Sequence, residues 1–378
     1  MRDLRAIARS CLAGAAAAAT ILSASANLSL AQPPGGILSH GDILVSDEGP
    51  FCSVRGIWYV HDGQAHVLAW GAPLELPKGL VQQSDGSLIV ADGLAGIGRY
   101  TLATGAFAVI KANPPANPRS VAAAPDGSLV IADWTTVPNA PGTIYRLTSD
   151  GGLHTIARGG PVAKPHSVTV APDGSIVVAD VHSGILRIAT DGTVSVIHPV
   201  DAELEAPSAV TTSADGTIYA ADILGAAVLR IAPSGQTTVL HRGAPLQRGI
   251  QFPVGVVGGP RGITLDNDGN PLVLDEKAKA IFRISSRGDL SQVADLSALC
   301  SPAELLMYRG PTIALPDAGT PAPQTPVDPS LLSSPAAHSP SAAAVSRASI
   351  PRPAGWPFAG AGLAALLIAL GIWRVRRS

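Results

Sequence analysis

One eight-residue phrase recurs through the middle of this chain and constrains its fold more than any other feature. DGSLIVAD (85–92) returns as DGSLVIAD (126–133), DGSIVVAD (173–180), DGTIYAAD (215–222) and DGNPLVLD (268–275), with GDILVSD (41–47) as a truncated first copy. The closing Asp falls at 47, 92, 133, 180, 222 and 275, so the spacing runs from 41 to 53 residues. A second apolar run such as GTIYRLTSDG or GILRIATDG follows each copy, and Pro-led runs such as PRSVAAAP and PHSVTVAP precede most of them. Each unit therefore reads as four short strands. Strand a follows the Pro, an Asp-Gly turn leads into b, c carries an Arg, and d is a short run such as HTIA. Four strands per 41–53 residues describe propeller blades, whereas solenoid coils are usually shorter. Six copies predict an all-β, six-bladed propeller over 32–315. The 40 Gly and 33 Pro in 378 residues suit many short elements joined by turns and argue against a helical bundle.

The ends have a different character. Residues 1–31 begin with Arg2, Arg5 and Arg9, continue into an apolar Ala-rich stretch and end in small residues before Gln32, the layout of a secretory signal. Cleavage is expected after Ala31 or Ala26. Residues 316–355 are rich in Pro, Ala and Ser and read as a linker. WPFAGAGLAALLIALGIW (356–373) carries no charge and is followed by Arg374, Arg376 and Arg377. Eighteen helical residues span roughly 27 Å, about one hydrocarbon core, and the Arg cluster places 374–378 in the cytoplasm. An exported protein, tethered through a C-terminal transmembrane helix, is the expectation. LPDAG (315–319) lies far upstream of the helix and has Ala318 where a sortase motif has Thr, so it is not read as a sorting site.

Ring closure has a sequence correlate. The first copy lacks its own strand a, and GPTIALPD (310–317) has the shape of one, so 311–315 is expected to supply it. Cys52 and Cys300 are the only cysteines left after signal removal, and in an oxidising compartment they are expected to form a disulfide across the seam.

Pseudo-symmetry separates fold from site. Residues repeated in every blade belong to the fold, so the closing Asp is expected to bond its following loop, and the strand-c Arg residues (146, 187, 230, 283) to pair with those aspartates. DNDGN (266–270) reads as a turn, since Lys277 stands where a calcium loop needs a bidentate Glu. The variable positions are more informative. The residue after each strand-a Pro should rim the central channel, and these read Lys78, Arg119, His166, Ser208, Arg261 and Thr312. The b–c loops of the same face add Glu48, Trp134, His182 and Glu276, and the longer segments 134–142 and 244–260 are candidate lids. Between 32 and 315 the chain carries 18 Lys and Arg against 25 Asp and Glu. A basic rim on an acidic body focuses anions at the mouth; the bland reading is that these side chains are solvated or paired with the strand-b aspartates. The overall formal charge of −2 gives no case for nucleic acid. The disc is expected to act as a monomer.

The pattern PxGxxxxxDGxxxVAD followed by GxIxRI resembles the NHL-repeat and gluconolactonase-like (regucalcin-like) group of six-bladed propellers over about three-quarters of the chain. The linker, apolar helix and Arg cluster resemble the tripartite C-terminal anchors or sorting signals of bacterial envelope proteins. The gluconolactonase resemblance implies one divalent cation, calcium or magnesium, in the channel. It would be held by a first-blade Glu, a fourth-blade Asn and a fifth-blade Asp, but His166 and Ser208 occupy the last two places. A second resemblance, to streptogramin lyases, implies His166 as base, His182 as its partner and Glu276 as acid or metal ligand. Against these enzymes stands a binding module that recognises a small anion, a glycan or an envelope protein through Lys78, Arg119, Trp134 and Arg261. Binding is the leading expectation, because no clear catalytic constellation appears in the ectodomain.

Overall fold

The computed structural model describes residues 36–316 apart from 50–54, 136–139 and 253–254. The signal segment, the linker beyond Pro316, the apolar segment 356–373, the basic tail and Cys52 lie outside the described residues.

Six four-stranded antiparallel sheets form the six blades, each ordered a-b-c-d. Their strands b are Ile43–Asp47, Leu88–Asp92, Leu129–Asp133, Ile176–Asp180, Ile218–Asp222 and Pro271–Asp275, all drawn from the repeated phrase. Strand b is buried along nearly its whole length because neighbouring blades cover both of its faces, which explains its unbroken apolar sequence. One apolar cluster fills each interface between blades. Leu44, Ile57 and Tyr59 of blade 1, for example, pack against Leu88, Val90 and Tyr100 of blade 2. Ile43, Val45 and Trp58 meet Leu272, Leu274 and Ile281 where blade 1 returns to blade 6. Strands d are half exposed at the outside of the disc.

The ring closes, but not with the expected segment. The innermost strand of blade 1 is Pro302–Met307, paired with Ile43–Asp47. Residues 311–315 instead place Ile313–Ala314 against Ile37–Leu38 in a two-stranded clasp, and Leu38 and Leu315 pack into the core between blades 1 and 2. Thr312 is exposed beside this clasp and does not rim the channel. Chain length accounts for the choice. Strand a begins seven residues after strand d ends in blades 2, 3 and 4, and Pro302 stands at that distance from Asp295.

The closing Asp of each strand b does more than cap its own loop. Asp92 Oδ1 accepts the backbone N–H groups of Leu94 and Ala95 at 2.9 Å, while Oδ2 accepts those of Glu75 and Leu76, which lead into strand a. Asp180 binds Ala163, Lys164, His182 and Ser183 in the same way. Asp47 takes Cys300 and Ser301 across the seam. In five blades one buried carboxylate thus staples two loops on the rim face, while in blade 3 Asp133 holds Ala116 and Asn117 among the described residues. Three of the four strand-c arginines expected to pair with the closing aspartates pair elsewhere, and Arg230 is in no ion pair among the described residues. Arg99, Arg146 and Arg187 meet the turn aspartates Asp85, Asp126 and Asp173, and Arg283 meets Asp266, so these pairs tie strand c to the a–b turn at the opposite edge of the blade.

Candidate functional site

A register irregularity builds the rim. In every blade the strand-a Pro pairs with the closing Asp, and the pairing resumes two residues further along strand a. Lys78 lies between Pro77↔Asp92 and Gly79↔Ala91, and Arg119, His166, Ser208, Arg261 and Ala303 occupy the same place in their blades. The skipped residue is the extra one of a β-bulge, a device that re-aims a side chain at a sheet edge. The next residue is small in five blades (Gly79, Ser120, Ser167, Ala209, Gly262), where strands crowd the axis: a Cβ on Gly79 would come within 2.6 Å of the Ser120 Cα. In blade 1 it is Glu304.

Lys78, Arg119, His166, Arg261, Ala303 and Glu304 line the chamber at the channel mouth, which leaves about 10 Å³ for the centre of a water molecule, about one water's worth. Four of these residues, Lys78, Arg119, His166 and Arg261, were expected on the rim, and Ala303 takes the place expected of Thr312. Glu304 was not expected, because the closing strand had been placed nine residues too late; the seven-residue spacing from Asp295 to Pro302 was the signal that could have found it.

Arg261 is engaged with carboxylates through both of its Nη atoms. Its Nη2 contacts Glu48 and its Nη1 lies 3.0 Å from Glu276 Oε2. Ser301 donates to Glu276 Oε1 at 2.5 Å and the Gly258 N–H to Oε2 at 2.8 Å. Burial disfavours all three charges, yet they outweigh it together. Arg261 is held above the ordinary arginine value, and Glu276 below the usual carboxylate range. Glu48 is brought down to about 2, against burial, by Arg261 and then by Arg119 and Lys78. Arg261 Nε is buried and has no hydrogen-bond partner among the described residues.

The other two cations have neutral partners. Lys78, 5% exposed, donates to Asn117 Oδ1 at 2.6 Å, and burial, reinforced by Arg119 against Glu48, pushes its pKa down to about 7. Arg119 lies 2.7 Å through Nη2 from His166 Nε2 and 5.0 Å over the Trp134 ring, and burial lowers it to about 10. His166 Nδ1 lies 2.7 Å from the Ser208 carbonyl oxygen. A carbonyl only accepts and an Arg only donates, so His166 carries its proton on Nδ1 and is neutral. Burial, followed by Arg119 and Arg261, holds its pKa well below the ordinary value. Trp134 meets the imidazole edge-on at 5.6 Å. Glu304 hydrogen-bonds Ser120 and is nevertheless raised to about 8 by burial.

Trp134 has a second role. With Val181, Ala206, Ile223 and Val256 it forms an apolar cluster on this face over blades 3 to 5, under part of the 244–260 segment. That segment contains a short hairpin, Ile250–Phe252 with Gly255–Val257. The residue after the closing Asp thus splits the face: Trp134, Val181 and Ile223 in blades 3 to 5, Glu48 and Glu276 in blades 1 and 6, with Gly93 in blade 2. His182 is exposed in its b–c turn and outside the chamber lining. His166, His182 and Glu276 are therefore not gathered as a triad: His166 joins Arg119 and Trp134, and Glu276 joins Arg261.

Glu48 and Glu276 already hold a guanidinium, Glu304 is hydrogen-bonded to Ser120, and His166 Nε2 already accepts a proton donor. A hard cation needs several free oxygen ligands, and no group of three or more His, Cys, Asp or Glu residues arranged for a metal occurs among the described residues. The residues present do not fit the divalent cation implied by the sequence resemblance.

No protein-family model matches this chain, and no curated protein does. Solved structures match it in fold. A chain of a nidogen/laminin complex matches with a TM-score of 0.56 at 16% identity, over 70% of this chain and 97% of that chain. A virginiamycin B lyase from Staphylococcus aureus gives a TM-score of 0.47 at 20% identity, over 60% and 73%. A gluconolactonase from Xanthomonas campestris gives 0.45 at 17%, over 66% and 90%. All three matches lie at 20% identity or below, and the likeness concerns the fold alone.

Proposed function

We propose that the protein is an exported, membrane-tethered propeller that binds a small anion at the mouth rimmed by Lys78, Arg119, His166 and Arg261. One observation carries this reading. Lys78 and Arg119 face a common chamber, and among the described residues neither has a carboxylate within ion-pair distance; their partners are Asn117 and a neutral imidazole. A buried charge without a counter-charge costs several kcal/mol, and an incoming anion recovers much of it. The buried Arg261 Nε is a further donor without an acceptor among the described residues. Export and tethering rest on the sequence of 1–31 and 356–377, and the same compartment suits a Cys52–Cys300 disulfide beside the seam.

Calorimetric titration of the purified protein with sulfate, phosphate and gluconate tests the reading. One site per chain is expected for at least one of these anions, with affinity reduced about tenfold or more in Arg119→Gln, the loss of one charge-assisted contact. No binding of any of the three overturns it. A hydrolase or lyase reading gains no support from the geometry, because the carboxylates and the imidazole such chemistry would use are already engaged with arginines.

A further inference from the structure

Two groups of opposite sign face the same chamber without pairing. Lys78 Nζ points to Asn117, and Glu304 hydrogen-bonds Ser120; no ion pair joins them among the described residues. Both descend from the same pair of positions on strand a: Lys78 is the bulged residue of blade 2, and Glu304 follows the bulged residue of blade 1. Ser46 ties the two strands together, donating to the Lys78 carbonyl oxygen at 2.5 Å and accepting the Glu304 N–H at 3.1 Å. The closed part of the chamber is close to one water in size, so it takes one oxygen of an oxyanion while the rest of the ligand stays at the mouth.

From this arrangement, and resting on the anion-binding reading above, we infer that the mouth takes one oxyanion group at a time and takes up a proton at Lys78 or Glu304 as it does so. An anion in the chamber favours the ammonium over the amine and the carboxylic acid over the carboxylate. It therefore raises proton affinity at both groups, and by linkage it binds more tightly where both already carry their protons. The proton comes from solvent and rests on Lys78 Nζ or on a Glu304 carboxyl oxygen; no bond of the anion is made or broken.

The charged surroundings do not blur this coupling. Arg119, Arg261 and Glu48 face Lys78 from blades 3, 6 and 1, with Asp92 behind it in blade 2, and Asp133 lies within electrostatic range. Arg119 and Arg261 face Glu304. Both arginines stay charged, and Glu48, at about 2, stays ionised across the neutral range. His166 stays neutral there. Lys78, at about 7, and Glu304, at about 8, are the chamber groups left to titrate near neutrality.

Sulfate is the probe, because it does not titrate in this range. It is titrated into the full-length protein at pH 6, 7, 8 and 9, and at pH 8 in two buffers with different heats of ionisation. Expected are one sulfate per chain and an affinity that falls up to about tenfold per pH unit above 7, the slope for one coupled proton. The apparent enthalpy should also shift between the two buffers. Glu304→Gln, which imitates the protonated acid, should still bind at pH 6 and show a shallower slope. Sulfate binding with no pH slope and no buffer dependence overturns the proton coupling while leaving the anion site standing. More than one sulfate per chain at this mouth overturns the single-group reading. No binding at pH 6, where both groups are protonated, overturns the anion site itself and this inference with it. The wild-type buffer comparison decides the coupling even if the variant fails to fold.

Discussion

Arg119 and His166 lean on one another across the boundary between blades 3 and 4, Nη2 to Nε2 at 2.7 Å, with Nδ1 held by the Ser208 carbonyl oxygen. The guanidinium occupies the lone pair that a general base would use. A protonated imidazole here would be buried beside two arginines, so the ring stays neutral. An ordinary histidine is mostly protonated at pH 6. The ¹⁵N shifts of His166 should instead report the neutral Nδ1–H tautomer at pH 6. Imidazolium shifts at that pH would contradict the assignment.

The Glu48–Arg261–Glu276 group joins blade 6 to blade 1 at the seam, and its energetics follow from burial: Arg261 is 3% exposed. Arg261→Ala leaves two carboxylates facing each other without their cation, a loss of about 3–5 kcal/mol in denaturant unfolding. Arg261→Lys should rescue only part of it, since an ammonium cannot reach both carboxylates with the fork of a guanidinium.

The same group sets an acid limit. Glu48 titrates at about 2 in the folded protein against an ordinary value of 4.5. Between those values the unfolded chain binds more protons than the folded one. The stability Glu48 contributes is therefore complete above about pH 4.5 and is lost as pH falls toward 2, a change on the order of 3 kcal/mol. Unfolding midpoints in urea at pH 5.5, 4 and 3 should fall accordingly, and Glu48→Gln should flatten that fall. An unchanged slope in the variant would assign the acid sensitivity to other carboxylates.

Gly93 leaves space for the Lys78 ammonium. A Cβ at this position would come 2.7 Å from Lys78 Nζ and 2.9 Å from Leu76 Cδ2, both ends of flexible side chains. Gly93→Ala should therefore cost the fold about 1 kcal/mol or less while moving the ammonium off Asn117. Sulfate affinity should drop roughly tenfold, the worth of one charge-assisted hydrogen bond. Melting temperature and calorimetry on the same preparation separate the two effects; a large loss of stability with unchanged affinity would sink the argument.

Much of the fold was legible in the sequence because each blade repeats the same physical solution. The buried strand b and its closing Asp are written six times and the DG turn five times, and any one copy explains the others. The rim was legible as a list: Lys78, Arg119, His166 and Arg261 were placed on it from the strand-a Pro alone. Their relations were not. Whether an Arg meets Glu48, a neutral His or a Trp depends on how neighbouring blades are rotated about the axis, and no periodicity within one blade carries that. The bulge that aims these side chains was hidden for a related reason, since pairing register is a property of two strands. Glu304 was missed because PAELLM has no DG phrase after it: its partner strand, Ile43–Asp47, lies at the other end of the domain.

Ring closure by Pro302–Met307 predicts how the chain tolerates shortening. Ending it after Arg309 keeps the closing strand and its pairing with Ile43–Asp47; among the described residues it removes the Ile313–Ala314 clasp, the Tyr308–Pro311 hydrogen bond and the packing of Ile313 and Leu315 on the core between blades 1 and 2. Losing those contacts should cost about 2–4 kcal/mol, the worth of one or two buried aliphatic side chains, and leave a folded disc. Ending the chain after Ser301 removes the whole inner strand. It leaves Ile43–Asp47 as an unpaired apolar edge and exposes the core shared by blades 1 and 6, so this version should aggregate instead of folding. Circular dichroism and gel filtration of the two truncations read the difference directly. If both failed alike, the segment 311–315 would have to contribute to closure well beyond a two-residue clasp.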